Sequence, residues 1–398
     1  MECFGNAVVS TRVQALICCT KFTALCKKRT LLVHFLTSIS RIRIDCGATS
    51  CYNIRVKNRA ASKRLKTGYN SLGSFDNDIK IFAGSSGIPF AKKMCKYLGN
   101  SPGDSEVITF SDGNIFLRIK ETVRNKDVYV VQPIGMNPNN EFVEILFWMD
   151  ALKRASANSV TALMPYFSYA KGDKKDEPRV SIRARVCAES IELAGADRIV
   201  VMDLHSPQVQ GFFKKPVDHL LSLPIMCEYV KGLDIMKDIV VVSPDAGYAK
   251  TARKYADYLH VPVAIGDKER FGHDEQAHIM TVIGDVEGKN CMIVDDFTVS
   301  GGTLVDMAET LKRNGAKRII ACLSHVIVRD KGIRALEESP IEMVIGTDSV
   351  QNPYLVKSKK FVTVSVAPLF AEAVLRIHEK ESVSPLFSKV PKKVVEDI

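Results

Sequence analysis

The chain has 398 residues, enough for two or three domains, with 46% hydrophobic and 25% charged residues, as in ordinary soluble globular proteins. Its net charge of +10 suggests a nucleic-acid partner, but residues 1–75 carry 13 Lys and Arg against 2 Asp and Glu, and the remainder sums to −1, which argues against nucleic-acid binding by the body. No apolar run approaches a membrane span.

Six of the 11 cysteines lie between Cys3 and Cys51, and five are scattered singly through the body. The body has no CxxC pair, which argues against zinc, and lone buried thiols suit a reducing compartment. Residues 1–77 read as a basic extension with no convincing amphipathic period. They are either disordered or an organelle transit peptide, so the localisation is cytoplasmic, or mitochondrial or plastid if the leader is an address.

From Ile79 the texture becomes α/β. A strand at Ile79 leads through a tight loop to a helix over Ile88–Leu98. Val107–Phe110 and Ile115–Ile119 are strands around a turn, and Asp127–Gln132 is a buried strand. A helix over Glu141–Ala157, a strand over Val160–Tyr166 and a long polar loop over Ser168–Ser181 follow. Ile182–Leu193 is a helix and Arg198–Asp203 a strand. The rhythm repeats from Ile239 to Glu379, with helices at Tyr248–Leu259, Thr303–Asn314, Gly332–Glu338 and Leu369–Glu379. Such alternation implies mostly parallel sheets covered on both faces. The strand count exceeds one sheet, so two similar domains are expected over 78–223 and 224–380, with a tail over 381–398.

The stretch Cys291–Thr303 carries the strongest chemical signal. An apolar strand ends in Asp295 and Asp296, then turns through Ser300-Gly301-Gly302-Thr303 into a helix. Glycines let backbone N–H groups approach an anion, and the helix N-terminus adds its positive dipole end. Acids beside such a cradle suit a sugar phosphate. Two further strand ends carry candidates: Asp203 and His205 after one, Asp245 after the other. Should these edges converge, they form an oxygen-and-imidazole pocket for magnesium and phosphates. Lys268 and Arg270 lie in a polar, glycine-containing stretch able to close over phosphates.

These residues sit within longer motifs. FSDGN (110–114), MPYFSYAKGDK (164–174), AGADRIVVMDLHSPQVQGFF (194–213), PVDHL (216–220), VVVSPD (240–245), DKER (267–270) and VDDFTVSGGT (294–303) together resemble ribose-phosphate pyrophosphokinase over roughly Ile79–Glu379. The resemblance implies two phosphoribosyltransferase-like α/β domains. It also implies transfer of pyrophosphate from ATP to the anomeric hydroxyl of ribose 5-phosphate. By position, it implies that Phe110, Asp112 and Asn114 hold the adenine, from a neighbouring subunit. Lys171, Gly172 and His205 then lie by ATP, and His205 and Asp245 bind Mg2+. Lys268 and Arg270 are catalytic, on a flexible loop. Asp295, Asp296, Val299, Ser300, Gly301, Gly302 and Thr303, with Arg270, bind ribose 5-phosphate. Dimers assembling to a hexamer are implied, with no nucleic-acid or membrane partner.

The chain departs from the family pattern at several of these positions. Asn114 stands where Glu is usual, Lys171-Gly172 where Arg-Gln is usual, Tyr248 where glycine is common, and Val299-Ser300 for an Asp and a Thr. Glu269 replaces a basic residue. Lys for Arg keeps the charge and loses the bidentate fork. The alternative reading is a non-catalytic regulatory subunit, against which stand His205, Asp245, Lys268, Arg270, Asp295 and Asp296. A phosphoribosyltransferase is disfavoured by the Phe110 and DLH segments.

Overall fold

The structure, a computed structural model, describes residues 30–33, 40–46, 52–58, 78–269 and 278–395. The chain divides into two units, residues 1–73 and 74–398. In the first, strands β1 (Thr30–Val33), β2 (Ser40–Cys46) and β3 (Tyr52–Asn58) pair antiparallel in that order. No helical period marks this stretch, but a period of two does. Ile42 and Ile44 alternate with arginines and pair in register with Val56 and Ile54.

The second unit holds two parallel sheets. Its first half runs β4 (Ile79–Ala83), α1 (Ile88–Leu98), the hairpin β5 (Ser105–Thr109) and β6 (Ile115–Ile119), β7 (Asp127–Val131), α2 (Pro138–Arg154), β8 (Ser159–Met164), α3 (Arg183–Ala194), β9 (Arg198–Met202) and β10 (Val217–Leu220). The sheet order is β10-β9-β8-β7-β4, parallel throughout. After α4 (Leu223–Lys231) come β11 (Ile239–Ser243), α5 (Ala249–Leu259), β12 (Val263–Glu269), β13 (His278–Ile283), β14 (Asn290–Thr298), α6 (Gly302–Arg313), β15 (Arg318–Val326), α7 (Asp330–Glu338), β16 (Met343–Thr347), β17 (Phe361–Val364) and α8 (Ala367–Glu379). They build the order β13-β12-β11-β14-β15-β16-β17, antiparallel only at β12–β13.

The two orders differ in a way that positions the site. The first sheet advances in one direction from β4 to β10. The second reverses: β12 lies on one side of β11, and β14 on the other. A reversal opens a crevice at the carboxyl ends of the strands flanking it. Asp245 follows β11, and Asp295 and Asp296 lie on β14, so the acids straddle the one switch point of the two sheets. β14 also runs past its expected end at Val294. Its pairing with β15 continues from Asp295↔Leu323 to Thr298↔Val326, which makes the acids part of the ladder.

One hydrophobic core joins the two sheets. Ile81, Tyr129 and Val200 of the first pack in the same cluster as Val241, Met292 and Ile345 of the second, with Phe90 of α1 edge-on to Phe370 of α8 at 5.3 Å. Polar contacts fasten the same seam. Asp127 at the start of β7 accepts from Asn158 and Ser159, each at 2.7 Å, and meets His378 Nδ1 of α8 at 2.9 Å. Burial opposes ionisation of Asp127, but these donors outweigh it and hold the carboxyl below its usual range. A depressed folded pKa gives stability that is present above the unfolded value and lost as pH falls through the folded one. Asp127→Ala should therefore cost about 1–3 kcal/mol at neutral pH. Denaturant unfolding should show this difference shrinking in acid. A pH-independent difference would assign the effect to packing.

Candidate active site

β14 supplies two consecutive acids and then the turn. Asp296 is buried, and its backbone N–H donates to Asp295 Oδ1 at 2.9 Å. Burial drives the Asp295 carboxyl well above the carboxylate range, and the charges of Asp296 and Asp245 push it the same way. Three acids at one switch point thus repel one another, a condition relieved by a cation or by hydroxyl donors.

The turn is shaped by contacts on its inner side. Gly301 adopts φ +80°, and a Cβ there would meet Leu336 Cγ at 3.0 Å. Its N–H donates to Thr298 Oγ1 at 3.2 Å, and the Gly302 N–H donates to Ser300 Oγ at 3.3 Å. α6 starts at Gly302, one residue before its expected start, and has no acid in its first turn. Ser300 and Thr303 are exposed, so two hydroxyls flank the N-terminus of α6 at the surface. Val299 is half exposed, at 50%, an apolar side chain on the rim of an otherwise polar cradle.

The strand ends of β9, β11 and β14 converge. His205 Nδ1 lies 2.6 Å from Asp296 Oδ2, joining the loop after β9 to β14. This hydrogen bond is the main cause of a His205 pKa raised above the usual imidazole value. Asp203 holds the loop's exit. It takes φ +40°, its carboxylate accepts from the Ser222 N–H at 3.0 Å, and its carbonyl O lies 3.3 Å from His325 Nε2. The Leu204 N–H donates to His219 Nε2 at 2.9 Å. Asp245 Oδ1 accepts from the Tyr248 N–H at 3.0 Å. A cleft of about 910 Å³ runs alongside, lined by Asp203, His205, Asp296, Tyr248, Arg198 and Phe387 among others, whereas Lys171, Asp245, Asp295 and the turn over 299–303 do not line it.

Lys171 closes a 3-10 turn over Ser168–Lys171 after β8. Its ammonium lies 3.8 Å from the ring centroid of Phe297, and burial lowers its pKa. Gly172 has Arg183 so close that a Cβ would meet its Nε at 2.6 Å. Phe110, Asp112 and Asn114 lie elsewhere, at the tip of the β5–β6 hairpin. Phe110 is 49% exposed, and none of the three lines the cleft. Asp112 Oδ1 accepts from the Asn114 N–H, and Asn114 Oδ1 from the Ile115 N–H, so both side chains brace the turn itself. Lys268 falls on β12 beside a register shift at Asp267/Lys268. Arg270 lies outside the described residues.

Sequence reasoning singled out neither Phe297 nor the Asp203–Ser222 clamp. Phe297 occupies an ordinary alternating strand position, and the Ser222 contact spans an element boundary. His219 lay within the PVDHL motif without an assigned part. Among the described residues no helix is long and apolar enough to cross a membrane.

Comparison with known proteins gives concordant matches. The N-terminal domain of ribose phosphate pyrophosphokinase matches residues 79–195, and the phosphoribosyl synthetase-associated domain matches 271–388. A ribose-phosphate pyrophosphokinase of Caldanaerobacter subterraneus subsp. tengcongensis is 46% identical over 317 residues, 80% of this chain and 100% of that protein. One from Bacillus subtilis is 40% identical over 313 residues, 79% of this chain and 98% of that protein. The crystal structure of phosphoribosylpyrophosphate synthetase from Mycobacterium smegmatis superposes with a TM-score of 0.71 at 36% identity, covering 76% of this chain and 99% of that one.

Removing the Asp296 charge should show directly at His205. In Asp296→Asn the imidazole should titrate at lower pH than in the wild-type protein, followed through its Cε1–H resonance. An unchanged midpoint would contradict the contact.

Proposed function

The chain belongs to the ribose-phosphate pyrophosphokinase family, and from that premise we infer how its residues work. It transfers the β,γ-pyrophosphoryl group of ATP to the anomeric hydroxyl of ribose 5-phosphate, giving phosphoribosyl pyrophosphate and AMP. The observation that supports our assignment of roles is the His205–Asp296 contact, which joins the loop after β9 of the first sheet to β14 of the second.

The acceptor sits on the second sheet. Asp295 and Asp296 accept hydrogen bonds from ribose hydroxyls, and Val299, Ser300, Gly301, Gly302 and Thr303 hold the 5-phosphate against the N-terminus of α6. The donor lies toward the first sheet, by Lys171, Gly172 and His205. The anomeric hydroxyl oxygen attacks the β-phosphorus in line and releases its proton to water. The bond from that phosphorus to the α,β-bridging oxygen breaks, and AMP leaves. Lys268 and Arg270 neutralise charge on the transferred group and the departing AMP.

Magnesium fits this donor set. Burial first, and then the charges of Asp296 and Asp245, raise the Asp295 pKa, so a cation beside these acids would favour their ionised forms. Among the described residues no group of three His, Cys, Asp or Glu could hold a metal alone. An ion resting on one or two side chains, water and substrate phosphates is the ordinary magnesium arrangement. His205 and Asp245 would hold it, and bound there it would draw charge from the phosphate oxygens.

The adenine reading needs a second subunit. Phe110, with Ile108 and Phe116 of the same hairpin, exposes apolar surface away from its own cleft. Placed against a neighbour's cleft, Phe110, Asp112 and Asn114 would complete that site. We further propose the two-domain division at 223/224, with the extension before residue 78 as a separate segment. Mass spectrometry of the mature N-terminus tests whether that segment is removed as an organelle address.

The full-length chain with ATP, Mg2+ and ribose 5-phosphate should release AMP. A folded protein that releases none across phosphate concentrations would support the non-catalytic regulatory reading. Lys268→Ala should lower kcat by about 100-fold or more while an ATP analogue binds within about threefold of wild type. Wild-type turnover in that variant would remove Lys268 from the chemistry. In sedimentation the active species should be a dimer or larger assembly, and an active monomer would overturn the shared adenine site.

A further inference from the structure

Among the described residues, the Phe297 ring packs against both Lys171 and His205. It follows Asp296 on β14 and pairs in register with His325 of β15. Lys171 Nζ lies 3.8 Å from its centroid. The His205 ring meets it edge-on, with centroids 5.4 Å apart and planes at 74°. Lys171 follows β8 and His205 follows β9, both strands of the first sheet, whereas Phe297 belongs to the second.

We propose that Phe297 is a positioning residue for pyrophosphoryl transfer: its ring fixes the Lys171 ammonium and the His205 imidazole in one arrangement toward the triphosphate. The inference rests on the nucleotide-side roles given above to Lys171 and His205. Two features favour it over simple packing. A lysine ammonium is a point charge on a four-carbon stem, with no planar fork to set its direction. The ring face supplies direction, since a cation is drawn toward the aromatic quadrupole. Asp296 alone leaves the imidazole free to turn about its Nδ1 contact, and the Phe297 edge limits that turn. Consecutive residues of one strand thus set both the distance and the tilt of His205. Tyr166, whose ring centroid lies 6.0 Å from Lys171 Nζ, is the more distant aromatic neighbour.

The test is a double-mutant cycle in the full-length chain, read in binding of a non-hydrolysable ATP analogue with Mg2+ and in steady-state kinetics. Phe297→Leu should weaken analogue binding about tenfold and leave KM for ribose 5-phosphate within about twofold. Phe297→Tyr keeps the ring and should restore wild-type binding. On a Lys171→Ala background, Phe297→Leu should cost clearly less than it does alone, because the shared contact is already gone. Circular dichroism melts identify a variant that has merely lost its fold, and Phe297→Tyr then still reports. Full additivity in the cycle, or equal loss of affinity for both substrates, overturns the proposal. If the wild-type chain yields no AMP but the cycle is non-additive in analogue binding, the reaction reading fails and the positioning role stands.

Discussion

The structure depends on bringing the carboxyl ends of two separate sheets to one place without leaving charge uncompensated. The hydrogen bond between His205 and Asp296 does this at the centre. Around it the seam is hydrophobic, with Phe90 against Phe370, and is fastened at its edge by Asp127 and His378. A carboxylate buried as deeply as Asp296 needs a partner. The partner comes from the other sheet, so satisfying the charge and assembling the site are the same event. Asp203 shows the local cost. It adopts a left-handed φ that L-residues avoid, and donors from Ser222 on the neighbouring segment hold it there.

The architecture was largely legible because the body obeys local rules. Strands such as Ile239–Val242 are continuous apolar runs, as strands buried on both faces must be. The helices over 88–98 and 249–259 carry plain apolar stripes. What escaped notice had mixed local signals. β10 is four residues long and includes Asp218 and His219, too short and too polar to show alternation. α4 carries Pro224 in its first turn, where proline is tolerated but reads as a breaker. α2 begins at Pro138 rather than Glu141 for the same reason, and the Glu141 carboxylate returns to accept the Gly135 and Asn137 N–H groups. β14 runs past Val294 because acids usually end a strand, whereas here ladder pairing with β15 carries both of them.

At the site, chemistry-bearing residues were visible as types, and their relations were not. Asp295, Asp296 and the glycine turn announce an anion cradle within one stretch. That His205 reaches Asp296 across 91 positions depends on how the sheets dock. Phe297 carried no signal, since an aromatic residue in a strand is ordinary. Its meaning comes from what the other sheet places against each side of it. The departures at Asn114 and Lys171 acquire a physical context the same way. The amide oxygen of Asn114 is spent on its own turn, and the lysine rests on a ring.

The unequal strand orders of the two sheets have an evolutionary consequence. Only the second sheet reverses direction, so only it owns a crevice that can grip a ligand on two sides. The first sheet offers a wall. A wall tolerates sequence drift that a crevice does not, because a ligand leaning on one surface can shift slightly and still react, whereas one held on two sides cannot. On the proposed roles the nucleotide leans on the wall and the sugar phosphate sits in the crevice, yet Val299 and Ser300 show that departures from the family pattern reach the crevice as well.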